Sequence, residues 1–220
     1  KKESSILKIK IKNKEYEISI QLFGDYQAKN LATTLGIFLA MCYKIEDLLE
    51  SIKTLRNPVG RLELVSEYKG AKIFVDYAHT PEALAEALKS LRPFKENRLI
   101  VLFGCGGNRD EGKRPLMGKV ANYLADEIIL TSDNPRFEDP LKIIEDIKKG
   151  INSSKSCKII PDRREALEFV IRNLQKGDLL LVAGKGHETY QEIQGKRYPF
   201  SDQEEILKII KRLGSYECRN

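Results

Sequence analysis

The residues best equipped for chemistry fall in four short stretches: VDYAHTP (75–81), GCGGNRDEGKRP (104–115), TSDNPRFEDP (131–140) and VAGKGHETY (182–190). The second runs Gly107-Asn108-Arg109-Asp110-Glu111-Gly112-Lys113-Arg114, close to the phosphate-binding pattern G-x-x-x-x-G-K-[ST]. A true loop of that kind needs a hydroxyl after the lysine to ligate Mg²⁺. Here Arg114 and Pro115 stand instead, so this chain carries no complete ATPase loop. Its glycines leave two readings open: backbone N–H groups cradling an anion with Arg109 clamping a carboxylate, or a tight strand-to-helix turn with solvated charges.

The third stretch pairs carboxylate and guanidinium. Asp133 and Asn134 before Pro135 suit a turn, and Asp139-Pro140 suits a helix start. Turn chemistry leaves Arg136 without a role. An acid beside a guanidinium suits a zwitterion, the acid for an ammonium and the guanidinium for a carboxylate. In the fourth stretch Gly184 and Gly186 permit close backbone approach, Glu188 is a second candidate for an ammonium, and His187 is either a base or structural. In the first, Asp76 is a cap-like group or a partner for a ribose hydroxyl or ammonium, and His79 precedes a helix start. Further upstream, Asn30 in GDYQAKN sits in the first helical turns, as a surface amide or an adenine-edge reader.

The elements that must position these residues follow from periodicity. ILKIKIKNKEYEISIQLFG alternates apolar and polar residues around KNKE, as a β-hairpin does. AKNLATTLGIFLAMCYK reads as a buried helix and IEDLLESIKTLR as a shorter amphipathic one. Proline and glycine in NPVGR (57–61) interrupt the pattern, placing a boundary between units 1–58 and 59–220. Beyond it, KIFVDYA, RLIVLFG, EIILTSD, CKIIPD and DLLLVAG are strands. They alternate with the helices PEALAEALKSL, PLMGKVANYLA, DPLKIIEDIKKGI and RREALEFVIRNL, then a hairpin YQEIQGKRYPF and a last helix DQEEILKIIKRL. Continuous apolar strands between helices predict an α/β, Rossmann-like, mostly parallel sheet covered on both faces. Ligands of such sheets bind at the C-terminal strand ends, and all four stretches fall there.

Composition narrows the classes. The chain has 220 residues, 41% hydrophobic and 32% charged, enough for a core and for one or two domains. No apolar run approaches the roughly 20 residues of a membrane helix, and KKESSILKIK lacks a signal-peptide core. Four scattered cysteines form no C-x-x-C pair, which predicts reduced thiols, a cytoplasmic setting and no metal site. The net charge of +6 is spread along helical faces rather than gathered in a stripe, which disfavours nucleic acid and suits a small anionic substrate.

Taken together, GRLE, VDYAHTPEAL, FGCGGNRDEGKRPLMG, TSDNPRFEDP and AGKGHETYQ resemble, in order and spacing, the Mur ligases of peptidoglycan synthesis. The resemblance runs from Gly60 to about Leu213, and residues 1–58 resemble the end of that family's central P-loop-type ATP-binding domain. It implies an ATP-dependent amide-bond ligase joining an amino acid to a UDP-sugar peptide. The acid is phosphorylated to an acyl phosphate, which the incoming amine attacks, with Mg²⁺ neutralising phosphates. The DNPR motif implies meso-diaminopimelate as that amino acid and UDP-MurNAc-L-Ala-D-Glu as the acceptor, with Arg109, Asp133, Asn134, Pro135, Arg136, Gly184 and Glu188 lining the amino-acid pocket. It further implies that Asn30, Arg61, Asp76 and His79 approach ATP. The family's adenine-side pattern G-x-H/F-N-x-x-N keeps only its second asparagine, Asn30. The P-loop, the metal ligands and a carbamylated lysine are expected upstream of residue 1, so this chain alone is expected to be inactive. A lysine-adding ligase and a non-catalytic Rossmann-like module are the alternatives. Undiminished diaminopimelate binding after Arg136→Ala would favour the first, and salt-sensitive DNA binding without response to ATP the second.

Overall fold

The computed structural model describes residues 5–11, 13–20, 22 and 24–217, in two compact units, Lys1–Pro58 and Val59–Asn220. In the first, β1 (Ser5–Ile11) and β2 (Lys14–Ile20) form an antiparallel hairpin, followed by α1 (Asp25–Ala40) and α2 (Ile45–Lys53). Ile18, Ile20, Leu22, Leu31, Leu35 and Ile52 make its core. The expectation of a buried α1 is corrected within this unit. Gln27, Leu31 and Leu35, spaced four apart, face inward, whereas Ile37 and Met41 are 57% and 60% exposed. A two-stranded hairpin and one short helix cover a single stripe of a helix, not its circumference.

The second unit is built on a six-stranded sheet in the order β3-β4-β8-β5-β6-β7. Its strands are β3 (Glu63–Tyr68), β4 (Ala71–Asp76), β5 (Leu99–Phe103), β6 (Glu127–Leu130), β7 (Ser156–Ile159) and β8 (Leu179–Ala183). All neighbours are parallel except β3, which pairs antiparallel with β4 at the edge. This edge strand is absent from the sequence expectations because Glu63, Ser66 and Glu67 dilute its apolar pattern. Its turn explains it: Lys69 and Gly70 both have positive φ (52° and 74°), as a two-residue hairpin of the favoured hand requires.

Helices α3 (Pro81–Leu91), α4 (Lys113–Leu124) and α5 (Pro140–Lys148) pack side by side, and α6 (Arg163–Arg172) packs with α7 (Asp202–Glu217). Every residue of β5 and β8 is buried. One set of alternating strand residues, including Ile73, Val75, Ile100, Leu102, Leu180 and Val182, shares a core with Leu167, Ile171, Ile206 and Ile209 of α6 and α7. The helix starts behave as proline and acid signals predict. Thr80 accepts from the Ala83 N–H with Pro81 following, and Asp139 accepts from Leu141 N–H with Pro140 following. A separate hairpin, β9 (Tyr190–Ile193) with β10 (Lys196–Pro199), leaves the sheet after β8. Among the described residues no helix is long and apolar enough to cross a membrane.

Candidate functional site

Beyond the C-terminal ends of β6 and β8, two loops meet around one buried ammonium. Lys185 Nζ lies 3.2 Å from Asp133 Oδ1, 3.0 Å from Asn134 Oδ1 and 3.3 Å from Glu188 Oε2, and its side chain is wholly buried. The Asn134 amide completes the cluster by donating to Glu188 Oε2 at 2.9 Å. Asp133 and Asn134 are therefore more than turn formers: both side chains point inward and are 6% and 5% exposed. Gly184 is required beside them. Its φ is +112°, and a Cβ there would stand 2.8 Å from Asp133 Oδ2, so any other residue would be strained and would press on the carboxylate.

Arg136 lies at the rim of this cluster. Its Nη1 donates to the Gly107 carbonyl at 2.7 Å, and its Nε is 3.5 Å from a Glu192 carboxylate oxygen. The side chain is 19% exposed. Arg136 itself has a φ of +51°, unusual for a residue with a Cβ, and the backbone around it is held from both sides. Its N–H donates to the Glu192 carbonyl, and the Gln194 N–H donates to its carbonyl. The Gln191 amide donates to the Asp133 carbonyl, and the Glu192 N–H to Asn134 Oδ1. The β9 strand thus splints residues 133–136. Pro135 contributes backbone: its carbonyl accepts from the Glu138 N–H. Arg109 is exposed, with its Cγ 3.8 Å from the point where a Gly106 Cβ would lie and Arg136 Nη1 2.9 Å from that same point.

The P-loop-like stretch resolves into a turn. The Gly107 N–H donates to the Asn134 carbonyl, the Asn108 N–H to the Glu138 carboxylate and the Gly112 N–H to Asp110 Oδ1. These amides are occupied, so the anion-cradle reading fails for them, and Lys113 Nζ donates to the His79 carbonyl at 2.8 Å. Arg114 anchors this turn from below. Fully buried, it pairs with Glu138 and Asp146 at 2.8 and 3.1 Å. Against the push of burial, the Asn108 N–H and the Arg114 guanidinium hold the Glu138 carboxyl below the usual carboxylate range.

A second group gathers on the loop after β4. Asp76 is buried, and its carboxylate accepts from the Leu62 N–H at 2.6 Å and the Ala78 N–H at 2.7 Å. Burial pushes its carboxyl up, opposed by those two bonds and by Arg61. The Arg61 guanidinium lies 4.8 Å over the Tyr77 ring, flanked by His79 at 4.7 Å and His187 at 5.2 Å. The exposed His79 Nδ1 is 2.9 Å from the Tyr77 carbonyl. Asn30 belongs to the first unit, where it is exposed and donates to Gln27 Oε1. Among the described residues no cluster of three His, Cys, Asp or Glu side chains could hold a metal ion.

Sequence reasoning thus finds the loops and most of their polar side chains, but misses Lys185, Glu192 and the Arg114–Glu138 support. Lys185 sits between two glycines in a loop, where a lysine ordinarily looks solvated. Only the meeting of segments some fifty residues apart reveals its burial.

An α/β unit with charged groups of both signs gathered at its C-terminal strand ends has them where sheets of this kind hold their ligands. Residues 60–186 match the family described as "Mur ligase, glutamate ligase domain", and the chain belongs to the Mur ligase family. Two named relatives are UDP-N-acetylmuramoyl-L-alanyl-D-glutamate–2,6-diaminopimelate ligases. That of Aquifex aeolicus is 47% identical over 207 residues, covering 94% of this chain and 42% of the relative. That of Pseudomonas aeruginosa is 46% identical over 189 residues, covering 86% and 39%. A solved structure of a ligase of the same name superposes with a TM-score of 0.73 at 39% identity, covering 95% of this chain and 43% of that one. The chain spans about two fifths of the length of these relatives.

Proposed function

We propose that this chain is the amino-acid-binding part of an ATP-dependent ligase that adds meso-diaminopimelate to UDP-MurNAc-L-Ala-D-Glu in the bacterial cytoplasm. In this reading residues 1–58 are the end of the central ATP-binding domain and residues 59–220 the C-terminal domain. The observation that carries it is a guanidinium and a carboxylate cluster at one strand-end rim: Arg136 pairs with Glu192, and Asn134, bonded to both Glu188 and the Glu192 N–H, ties that pair to the cluster of Asp133 and Glu188. Meso-diaminopimelate carries an ammonium–carboxylate pair at each end, whereas lysine lacks the distal carboxylate. Arg136 takes that carboxylate, with Arg109 beside it, while Asp133, Asn134 and Glu188 take the ammonium and Gly184 makes room. Lysine would leave the guanidinium without its partner, at a cost of about 2–5 kcal/mol.

The chemistry follows from those roles. ATP phosphorylates the D-glutamyl γ-carboxylate to an acyl phosphate, releasing ADP. The amine of diaminopimelate attacks the carbonyl carbon, and the tetrahedral intermediate collapses to the amide and phosphate. Arg61, Asp76 and His79 serve the nucleotide, Arg61 towards its phosphates and Asp76 on the ribose side. The Mg²⁺ that such phosphoryl transfer uses takes its ligands elsewhere in the ligase. The residues of this chain bind and orient the nucleophile.

The test is to supply the complete ligase with ATP, Mg²⁺ and UDP-MurNAc-L-Ala-D-Glu, then offer meso-diaminopimelate or L-lysine. Phosphate release and product mass are expected to show ligation of meso-diaminopimelate, with L-lysine disfavoured by at least about 30-fold in kcat/KM. Equal use of lysine, or no ligation with either, contradicts the proposal.

A further inference from the structure

The carboxylates read above as the ammonium grip already hold an ammonium of this chain's own. Asp133, Asn134 and Glu188 converge on Lys185 Nζ at 3.0–3.3 Å, with no part of the lysine side chain reaching solvent. A buried lysine is costly unless it is paired and hydrogen-bonded, and this one has two carboxylates and an amide oxygen. Two carboxylates sharing a site repel each other, and in such pairs one tends to take up a proton. A neutral acid would grip an ammonium poorly.

We propose that Lys185 is a positioning residue of the amino-acid site. Its buried ammonium fixes the Asp133 and Glu188 carboxylates in place and offsets one of their two formal charges, leaving the trio with one net negative charge to receive one ammonium from the substrate. The inference rests on the function proposed above and deepens it. The surroundings fit that balance. Arg163, also fully buried, is committed to Asp202 at 2.8 Å, where it donates as well to the Ala183 carbonyl. Its charge is thus largely answered before it reaches Asp133 and Glu188, the more distant acids it also feels. The Cys105 thiol, which feels Asp133, has its pKa pushed up by burial to about 12, so it stays neutral. The Tyr190 ring, 5.9 Å from Lys185 Nζ, adds only a weak contact. Lys185 is therefore the cation that answers these two carboxylates directly.

The experiment uses the complete ligase with Lys185→Met, Lys185→Gln and Lys185→Arg. For each, KM for meso-diaminopimelate, KM for ATP and the pH profile of kcat/KM are measured, with thermal unfolding as a check on folding. Met and Gln are expected to raise KM for meso-diaminopimelate by about 10- to 100-fold while KM for ATP stays within about twofold, and to move the acid limb of the profile to higher pH. Arg, which keeps the charge, is expected to restore the acid limb at least in part. An unchanged KM for meso-diaminopimelate overturns the proposal. So does an equal loss for both substrates with no shift of the acid limb, or a failure of Met and Gln to fold while Arg folds, since each marks an ion pair that serves stability alone. If the wild-type ligase does not ligate meso-diaminopimelate, the proposed function fails instead, which separates the two readings.

Discussion

Arg136→Ala offers the sharpest perturbation of the amino-acid site. The guanidinium has fixed commitments: Nη1 to the Gly107 carbonyl at 2.7 Å and Nε toward Glu192 at 3.5 Å. Among the described residues Nη2 makes no hydrogen bond, so this nitrogen is left for a carboxylate to complete the guanidinium fork. Removing one partner of a buried charge pair costs about 2–5 kcal/mol. The side chain is 19% exposed and Glu192 stands nearby, which places this case in the lower half of that range, about 2–3 kcal/mol. At about 1.4 kcal/mol per tenfold, kcat/KM for meso-diaminopimelate should fall about 30- to 150-fold. L-Lysine has no distal carboxylate to lose, so its kcat/KM should change less than about threefold, and the preference between the two should narrow by nearly the full factor. Arg136→Lys keeps a donor for the Gly107 carbonyl and separates loss of the loop anchor from loss of the fork. Coupled phosphate release with each amino acid measures all of these. If both substrates fall together and the preference is unchanged, Arg136 acts on the loop and not on the distal carboxylate.

Other outcomes follow from the same geometry. Gly184→Ala places a Cβ 2.8 Å from Asp133 Oδ2 at a φ of +112°; it should cost about 1–3 kcal/mol of stability and raise KM for meso-diaminopimelate, and wild-type values in both would remove the close approach from the argument. Arg163→Leu strands the buried Asp202 carboxylate and should lower unfolding free energy by about 3–5 kcal/mol, read as a shift of the urea midpoint; a change below about 1 kcal/mol contradicts it. Cys105 has its thiol pushed up by burial from 9.0 to about 12. The unfolded chain therefore loses this proton first, and the stability tied to it is complete below pH 9 and declines as pH rises towards 12, by up to about 1.4 kcal/mol per pH unit. Cys105→Ala should lack that part of the alkaline slope, and identical slopes would count against the burial argument.

Much of this architecture is legible in the chain because local signals agree with the tertiary outcome. Pro81 and Asp139-Pro140 mark helix starts that the structure realises, with Thr80 and Asp139 as the capping side chains, and the all-apolar runs at 99–103 and 179–183 become the fully buried strands. β3 hides because an edge strand carries polar residues on its open side, and the apolar run of α1 overstates its burial within its own unit. The candidate site divides the same way. Asp133, Arg136 and Glu188 stand out because turn formation leaves a guanidinium and a second acid without a role. Lys185, Glu192 and Arg114 do not, because nothing local distinguishes a buried, paired cation from a solvated one. The near-P-loop shows the converse: Gly107 and Gly112 are placed as a phosphate cradle would place them, yet their N–H groups are used within the turn and by residue 134.

A crystal structure of the complete ligase with meso-diaminopimelate bound confronts the central claim with least inference. The distal carboxylate should lie within about 3 Å of the Arg136 guanidinium, and the neighbouring ammonium should contact Asp133 or Glu188 with Lys185 still in place. An amino acid bound elsewhere, or with its carboxylate turned away from Arg136, would contradict it.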